Sequence, residues 1–408
     1  MDARRRELTR RTLLAEVSIA GALAPLGCRT ATRETPKAEN SGLDVPRAAL
    51  GGATEVTRHA PDLAAADVLD EALERLQPRG PAYAGGLANH APMVAESLVV
   101  LGRGDAVSRW VDAYAPRLEA WPRSGGHIAR GAWADALGKN ERVTDWREFF
   151  TEELANGSFR DVLTRWLPRL SAGISGSAAH GIIRVAHVVR ALAVRQTAPR
   201  LRELAAALAY AASSFHRLPD ESRTSGKLTV VEALDRLEMV ALERRGQGSI
   251  VDRLAPLGVM PSFAGAADLV DLSGDPAATL SDITRVFARV YCANAAQRDG
   301  RIARIHAITG ASALRPLLPH LPLALHRPLL RHVWQLDAAV YVTHATRGAT
   351  APPIESFATV DDLVAAAIDS GDEHAIKLTE VSLREDAAAP DPAYGKAAAH
   401  WVRASLPS

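Results

Sequence analysis

From Pro61 onward, apolar residues recur at spacings of three and four, and clusters of Gly, Pro or Ser interrupt the rhythm every few turns. Such spacing gathers apolar side chains on one stripe of an α-helix; a strand, whose faces alternate at a period of two, cannot use it. The first predicted helix, 62–76, opens on Asp62 and stops before Pro78-Arg79-Gly80. Further helices are predicted over 89–101, 105–118, 129–137, 145–155, 159–167, 180–194, 197–215, 230–243, 275–296, 301–309, 327–344 and 357–368. Short or Pro-broken pieces are expected within 247–273 and 311–321. No strand-and-hairpin alternation persists and no solenoid period is visible. Few aromatics and abundant Ala and Leu favour the same answer. The expectation is an all-α protein: a single large multi-helix domain over 43–408, with a candidate seam at 219–227.

The formal charge of +1 provides no broad basic field, which argues against nucleic acid as a partner. Two cysteines, Cys28 and Cys292, cannot build a thiolate cluster or a disulfide framework. Any metal must then rest on nitrogen and oxygen ligands. Residues 1–42 read as a disordered export signal and tether. The arginine-rich start contains Thr9-Arg10-Arg11-Thr12-Leu13-Leu14, which has the shape of a twin-arginine signal. The apolar run 15–27 is too short to span a bilayer and ends in Leu26-Gly27-Cys28, which looks like a lipoprotein box. Export by a twin-arginine-type route is expected, to a periplasmic protein or to a lipoprotein with Cys28 as the candidate anchor; the alternative is a cytoplasmic protein with a basic leader, which Glu16 and Pro25 favour.

Several kinds of chemistry are absent by motif. There is no glycine-rich dinucleotide fingerprint, so no tightly held flavin is expected, and no Walker loop, HExxH or GxSxG. What remains is histidine. Of the thirteen, His59, His127, His216, His320, His326 and His400 fall in or beside loops or near the C-terminus and read as surface residues. His332 and His344 on the 327–344 helix read as exposed or cavity-lining, and His187 as a packed histidine.

Four others stand out. His90 lies at a helix entrance behind Gly85-Gly86, and His180 follows the Gly/Ser loop 171–177. His306 sits between Ile305 and Ile308, where an unpartnered imidazole would be costly. His374 lies three residues before Lys377, so the two share a helical face after the turn Asp369-Ser370-Gly371-Asp372. The residues alone leave two readings open: core histidines satisfied by backbone carbonyls, or a four-histidine metal site.

The stretches around these residues resemble the questin oxidase-like family. They are Asn89-His90 with Glu96-Ser97-Leu98-Val99-Val100-Leu101-Gly102, Ala179-His180-Gly181-Ile182-Ile183-Arg184, Ile305-His306-Ala307-Ile308-Thr309-Gly310 and His374-Ala375-Ile376-Lys377. Trp166-Leu167-Pro168-Arg169-Leu170 and Leu317-Leu318-Pro319-His320-Leu321-Pro322 belong to the same ordered set. The resemblance implies oxidative ring opening of anthraquinones and related aromatic polyketides, with a Baeyer–Villiger-type outcome. It also implies non-haem Fe(II) held by histidines and a modified lysine, which maps here to His90, His180, His306, His374 and Lys377. A lysine forced neutral by burial can take up carbon dioxide and present a carboxylate-like carbamate. Glu373 or Glu380 is the alternative oxygen donor, and a surface pair of Lys377 with either acid is the plainest alternative.

The expected function is an iron-dependent mono- or dioxygenase that uses dioxygen and a small aromatic or quinone-like substrate. The substrate would lie in an apolar cavity, with Trp334 and Tyr341 as candidate contacts and NADPH as a diffusible reductant. A non-enzymatic helical scaffold and a metal-dependent hydrolase are the competing readings.

Overall fold

The computed structural model describes residues 63–221, 226–246 and 248–406. The reading of 1–42, with its twin-arginine pattern and Cys28, lies outside these residues. In chain order the helices are α1 (Leu63–Leu76), α2 (Ala91–Val100), α3 (Val107–Tyr114), α4 (Val143–Ala155) and α5 (Phe159–Leu170). Next come α6 (His180–Val194), α7 (Ala198–Ser213), α8 (Val230–Arg236), α9 (Pro276–Ala293) and α10 (Arg301–Ser312). The last five are α11 (Leu314–Leu317), α12 (His326–His344), α13 (Val360–Asp369), α14 (Glu373–Ala388) and α15 (Pro392–Ser405). Strand is confined, among the described residues, to a two-residue antiparallel pair, Ala82–Tyr83 with Leu87–Ala88, just before α2. All-α is the observed class, and the chain on both sides of 219–227 belongs to one compact unit, so that loop is no domain seam.

Four helices make the inner frame. α2 packs on α6, α6 on α10, α10 on α14 and α14 back on α2, closing a ring. α6 is apolar almost all round and buried along most of its length, as a helix enclosed by neighbours must be. α14 joins two apolar cores: Leu378 belongs to the larger one, with Trp146, Trp166 and Tyr291, and Ile376 to a smaller one with α1, α2 and α3. Burying each of these two side chains contributes ~1.5–3 kcal/mol, enough to hold the helix in place although Lys377 lies between them.

Three segments depart from the expected boundaries. The helix expected over 230–243 stops at Arg236, because Arg347 donates to the Leu234 and Leu237 carbonyls and the Val240 N–H turns to Val342 O. Residues 129–137 form only a short 3₁₀ turn, Trp133–Ala136, whose last carbonyl accepts from the Trp146 indole at 3.1 Å. α15 was not anticipated; Asp391 before Pro392 is its start signal, with the carboxylate accepting from Ala393 N–H at 2.9 Å.

Candidate metal centre

Each helix of the inner ring brings one histidine to a common point. His90 is the N-cap of α2, His180 opens α6, His306 lies within α10 and His374 sits in the first turn of α14. One ring nitrogen from each lies within 4.8 Å of the others. His180 Nε2 is 2.9 Å from His90 Nε2 and 3.0 Å from His306 Nε2. Sequence spacing could not reveal this convergence, since the residues come from opposite ends of the chain.

Local structure fixes each ring. The turn before α14 has Gly371 at φ +65° and is pinned from two sides: Trp110 donates to Gly371 O at 3.1 Å, and Trp401 of α15 to the Asp372 carboxylate at 2.8 Å. Asp372 also caps α14, accepting from Ala375 N–H at 2.7 Å. His180 is delivered by three consecutive left-handed residues, Ser177, Ala178 and Ala179, none of them glycine. Left-handed backbone costs ~1–2 kcal/mol for each such residue, and strain of this kind persists where the surroundings enforce it. Here α7 enforces it: a Cβ on Gly181 would stand 2.6 Å from Ala211 Cα, so α6 starts against the α7 backbone. The turn also returns Ser177 O to within 2.5 Å of His180 Nδ1.

That contact decides the tautomer. A carbonyl oxygen only accepts, so His180 Nδ1 carries the proton and donates it. His306 Nδ1 likewise donates to Ile302 O at 2.7 Å. His90 turns Nδ1 outward toward Tyr114 Oη at 3.5 Å and Glu373 Oε1 at 4.0 Å. The facing Nε2 atoms of His180 and His306 are therefore lone pairs pointed at one another. Protonating one would relieve the conflict, but burial opposes it. Burial holds His90, His180 and His374 well below the ordinary imidazole range and His306 down at about 3. Lone pairs converging in a buried site, with every identified N–H turned outward, are a donor set for a cation; the cluster can hold a metal ion.

Lys377 follows one turn after His374 and is buried, so the surface-pair alternative fails. Burial pulls its amine from 10.5 down to about 7, against the opposing pull of Glu373 and Asp372. Its charge bears on all four imidazoles. Glu380 is engaged through Oε1, which Arg190 and Arg384 hold, while its buried Oε2 has no hydrogen-bond partner among the described residues. Glu373 stays beside His90, its carboxyl raised mainly by burial.

The questin oxidase-like family model matches residues 89–381, a span that contains all four histidines and Lys377. The chain belongs to the questin oxidase-like family. No curated protein matches it. Membership points to an oxidoreductase acting on anthraquinone-type substrates, with a small molecule and oxygen as partners.

Other expectations need correction. Trp334 of this questin oxidase-like chain is fully buried and donates its indole N–H to Ala266 O at 2.7 Å, so it is part of the core. Neither Trp334 nor Tyr341 lines the cleft nearest the histidines, and that cleft is largely polar where an apolar cavity was expected. His326 and His344, read as surface or exposed, are buried. His187 is packed as expected, with Nδ1 2.7 Å from Glu96 Oε2. Tyr114, Trp401 and Ile302, which orient or flank the cluster, carry no chemical signature that sequence reading could have singled out.

Proposed function

We propose that this chain is a non-haem iron oxygenase in which His90, His180, His306, His374 and Lys377 hold Fe(II). The reaction proposed is oxidative cleavage of a quinone-like or aromatic polyketide ring. The observation that carries the reading is the convergence of four imidazole nitrogens, of which the Nε2 lone pairs of His180 and His306 have their Nδ1–H groups engaged behind them. Fe(II) bound there would supply the one-electron chemistry that lets dioxygen react with a closed-shell aromatic.

The protein's contribution is orientation and exclusion of water. Ser177 O and Ile302 O fix two rings through their Nδ1–H groups, and Tyr114 and Glu373 flank the third. Three of the four histidines are buried, and only His374 is partly open. Lys377, with a near-neutral amine, supports the carbamate reading, in which carbon dioxide converts it into an oxygen ligand. NADPH enters as a diffusible reductant.

The test is metal content followed by turnover. Protein loaded anaerobically with Fe(II) and desalted should keep one equivalent and consume dioxygen when a hydroxyanthraquinone and NADPH are added. Retention below a tenth of an equivalent for every transition metal tried would sink the reading. NADPH consumed one-for-one with dioxygen identifies a monooxygenase, and oxygen uptake without NADPH a dioxygenase.

A further inference from the structure

Beside the histidines a surface cleft of about 520 Å³ opens between the α14 entry turn, the start of α10 and the end of α15. Its inner wall is Glu373, 4.0 Å from His90 Nδ1, and Trp401, whose ring centroid lies 5.8 Å from that of His374. Such a volume suits a small polycyclic ligand. The balance of charges is unusual for a cleft beside a candidate cation site, where a surplus of acids would be the ordinary expectation. Three arginines, Arg117, Arg298 and Arg301, face two acids. Both acids are already engaged: Asp372 caps α14 and accepts from Trp401, while Glu373 lies between Arg117 and His90, 4.0 Å from each. Arg117 is further committed over the Tyr114 ring, 4.7 Å from its centroid. Arg301 lies over Trp401 at 5.0 Å and has no acid partner among the described residues; nor does Arg298. Ile302, which lines the same cleft, is 47% exposed, although its own carbonyl holds His306.

Cations with no acid partner beside an exposed apolar side chain fit a ligand that is aromatic and negatively charged. We propose that the cleft takes the substrate as its anion, an ionised phenol or carboxylate on a polycyclic aromatic frame, with Arg298 and Arg301 receiving the charge. The aromatic half of this statement rests on the proposed function; the anionic half rests on the cleft.

Equilibrium dialysis of the full chain with two matched probes separates the halves: anthraquinone-2-carboxylate and anthraquinone-2-carboxamide, which differ in charge on one frame. The wild type should bind the carboxylate at least about tenfold more tightly, as expected for a charge-assisted contact. The Arg298→Gln/Arg301→Gln variant should lose that advantage and keep its affinity for the carboxamide. Parity of the two probes in the wild type, including failure of both to bind, overturns the inference. So does a carboxylate preference that survives in the double variant. Cyclohexanecarboxylate is the third probe: binding as tight as that of the anthraquinone acid would keep the anion site and remove the aromatic substrate reading. Binding far weaker supports both.

Discussion

The four ring helices build two buried polar clusters side by side, and the two obey opposite rules. In the first, α2, α6, α10 and α14 each give a histidine, and every identified N–H points away from the centre. In the second, the same helices close an ion lattice about two to three turns further along. Arg190 of α6 donates to Glu96 of α2 at 2.6 and 2.5 Å and to Glu380 of α14. Arg384 continues from Glu380 at 3.0 Å to Glu385 at 2.9 Å. Glu385 also accepts from Arg315 of α11 and from Ser312 at the end of α10. Three arginines meet three carboxylates, and each of the six has a partner of opposite charge. In the lattice every charge meets its opposite; the histidine cluster is a set of nitrogen donors that can hold a metal ion. One arrangement is an ion-pair network within the fold, and under the proposed function the other is the reactive centre.

Breaking the lattice should therefore show in unfolding, and breaking the cluster in metal retention. Arg190→Ala carries the largest expected effect. Although burial alone would raise both carboxyls, Arg190 holds Glu96 and Glu380 below their usual range. Removing it leaves two buried carboxylates short of charge, at a cost of ~3–5 kcal/mol in urea unfolding. Metal retained per folded molecule should stay unchanged; loss of metal at full stability would reverse the roles assigned to the two clusters.

His306→Ala should give the inverse result. Loss of one donor lowers metal affinity by at least about a hundredfold in competition with a chelator. The metal-free protein should lose less than ~2 kcal/mol, since a small cavity is offset by relief of the 3.0 Å lone-pair contact with His180. Retained affinity in this variant would remove His306 from the donor set.

The contrast also explains what the sequence could and could not disclose. Helix positions follow from local spacing, so α6 and the first turns of α14 were readable from their own residues. The end of α8 was not, because Arg347, far along the chain, takes its carbonyls. Burial could not pick out the candidate metal donors either: His187, His326 and His344 are as buried as His180. What separates them is where each ring nitrogen goes, and that is set by residues such as Ser177 and Ile302, whose role lies in backbone carbonyls. Resemblance to the family supplied the four positions; the periodicity alone left them open. Glu380 illustrates the converse, a candidate donor by spacing whose Oε1 the lattice already holds.

Lys377 is the point where the two clusters come closest along α14, one turn from His374 and one turn from Glu380. Its amine is pulled from 10.5 to about 7 by burial, while His306 titrates at about 3 and burial keeps the other three rings well below the ordinary range. Between pH 5 and 7, then, Lys377 is the group in this set that must lose a proton before a cation is welcome. Apparent metal affinity should rise by about tenfold per pH unit, the signature of one displaced proton, and level off above pH 7. The linkage for folding has the matching sign. With the folded pKa below the unfolded one, the unfolded chain binds the extra proton, so this residue's contribution to metal-free stability is full above pH 10.5 and is lost as pH falls to about 7. Lys377→Met should flatten both slopes. A slope in metal affinity that survives the substitution would assign the proton to another group and leave the histidines as the whole donor set.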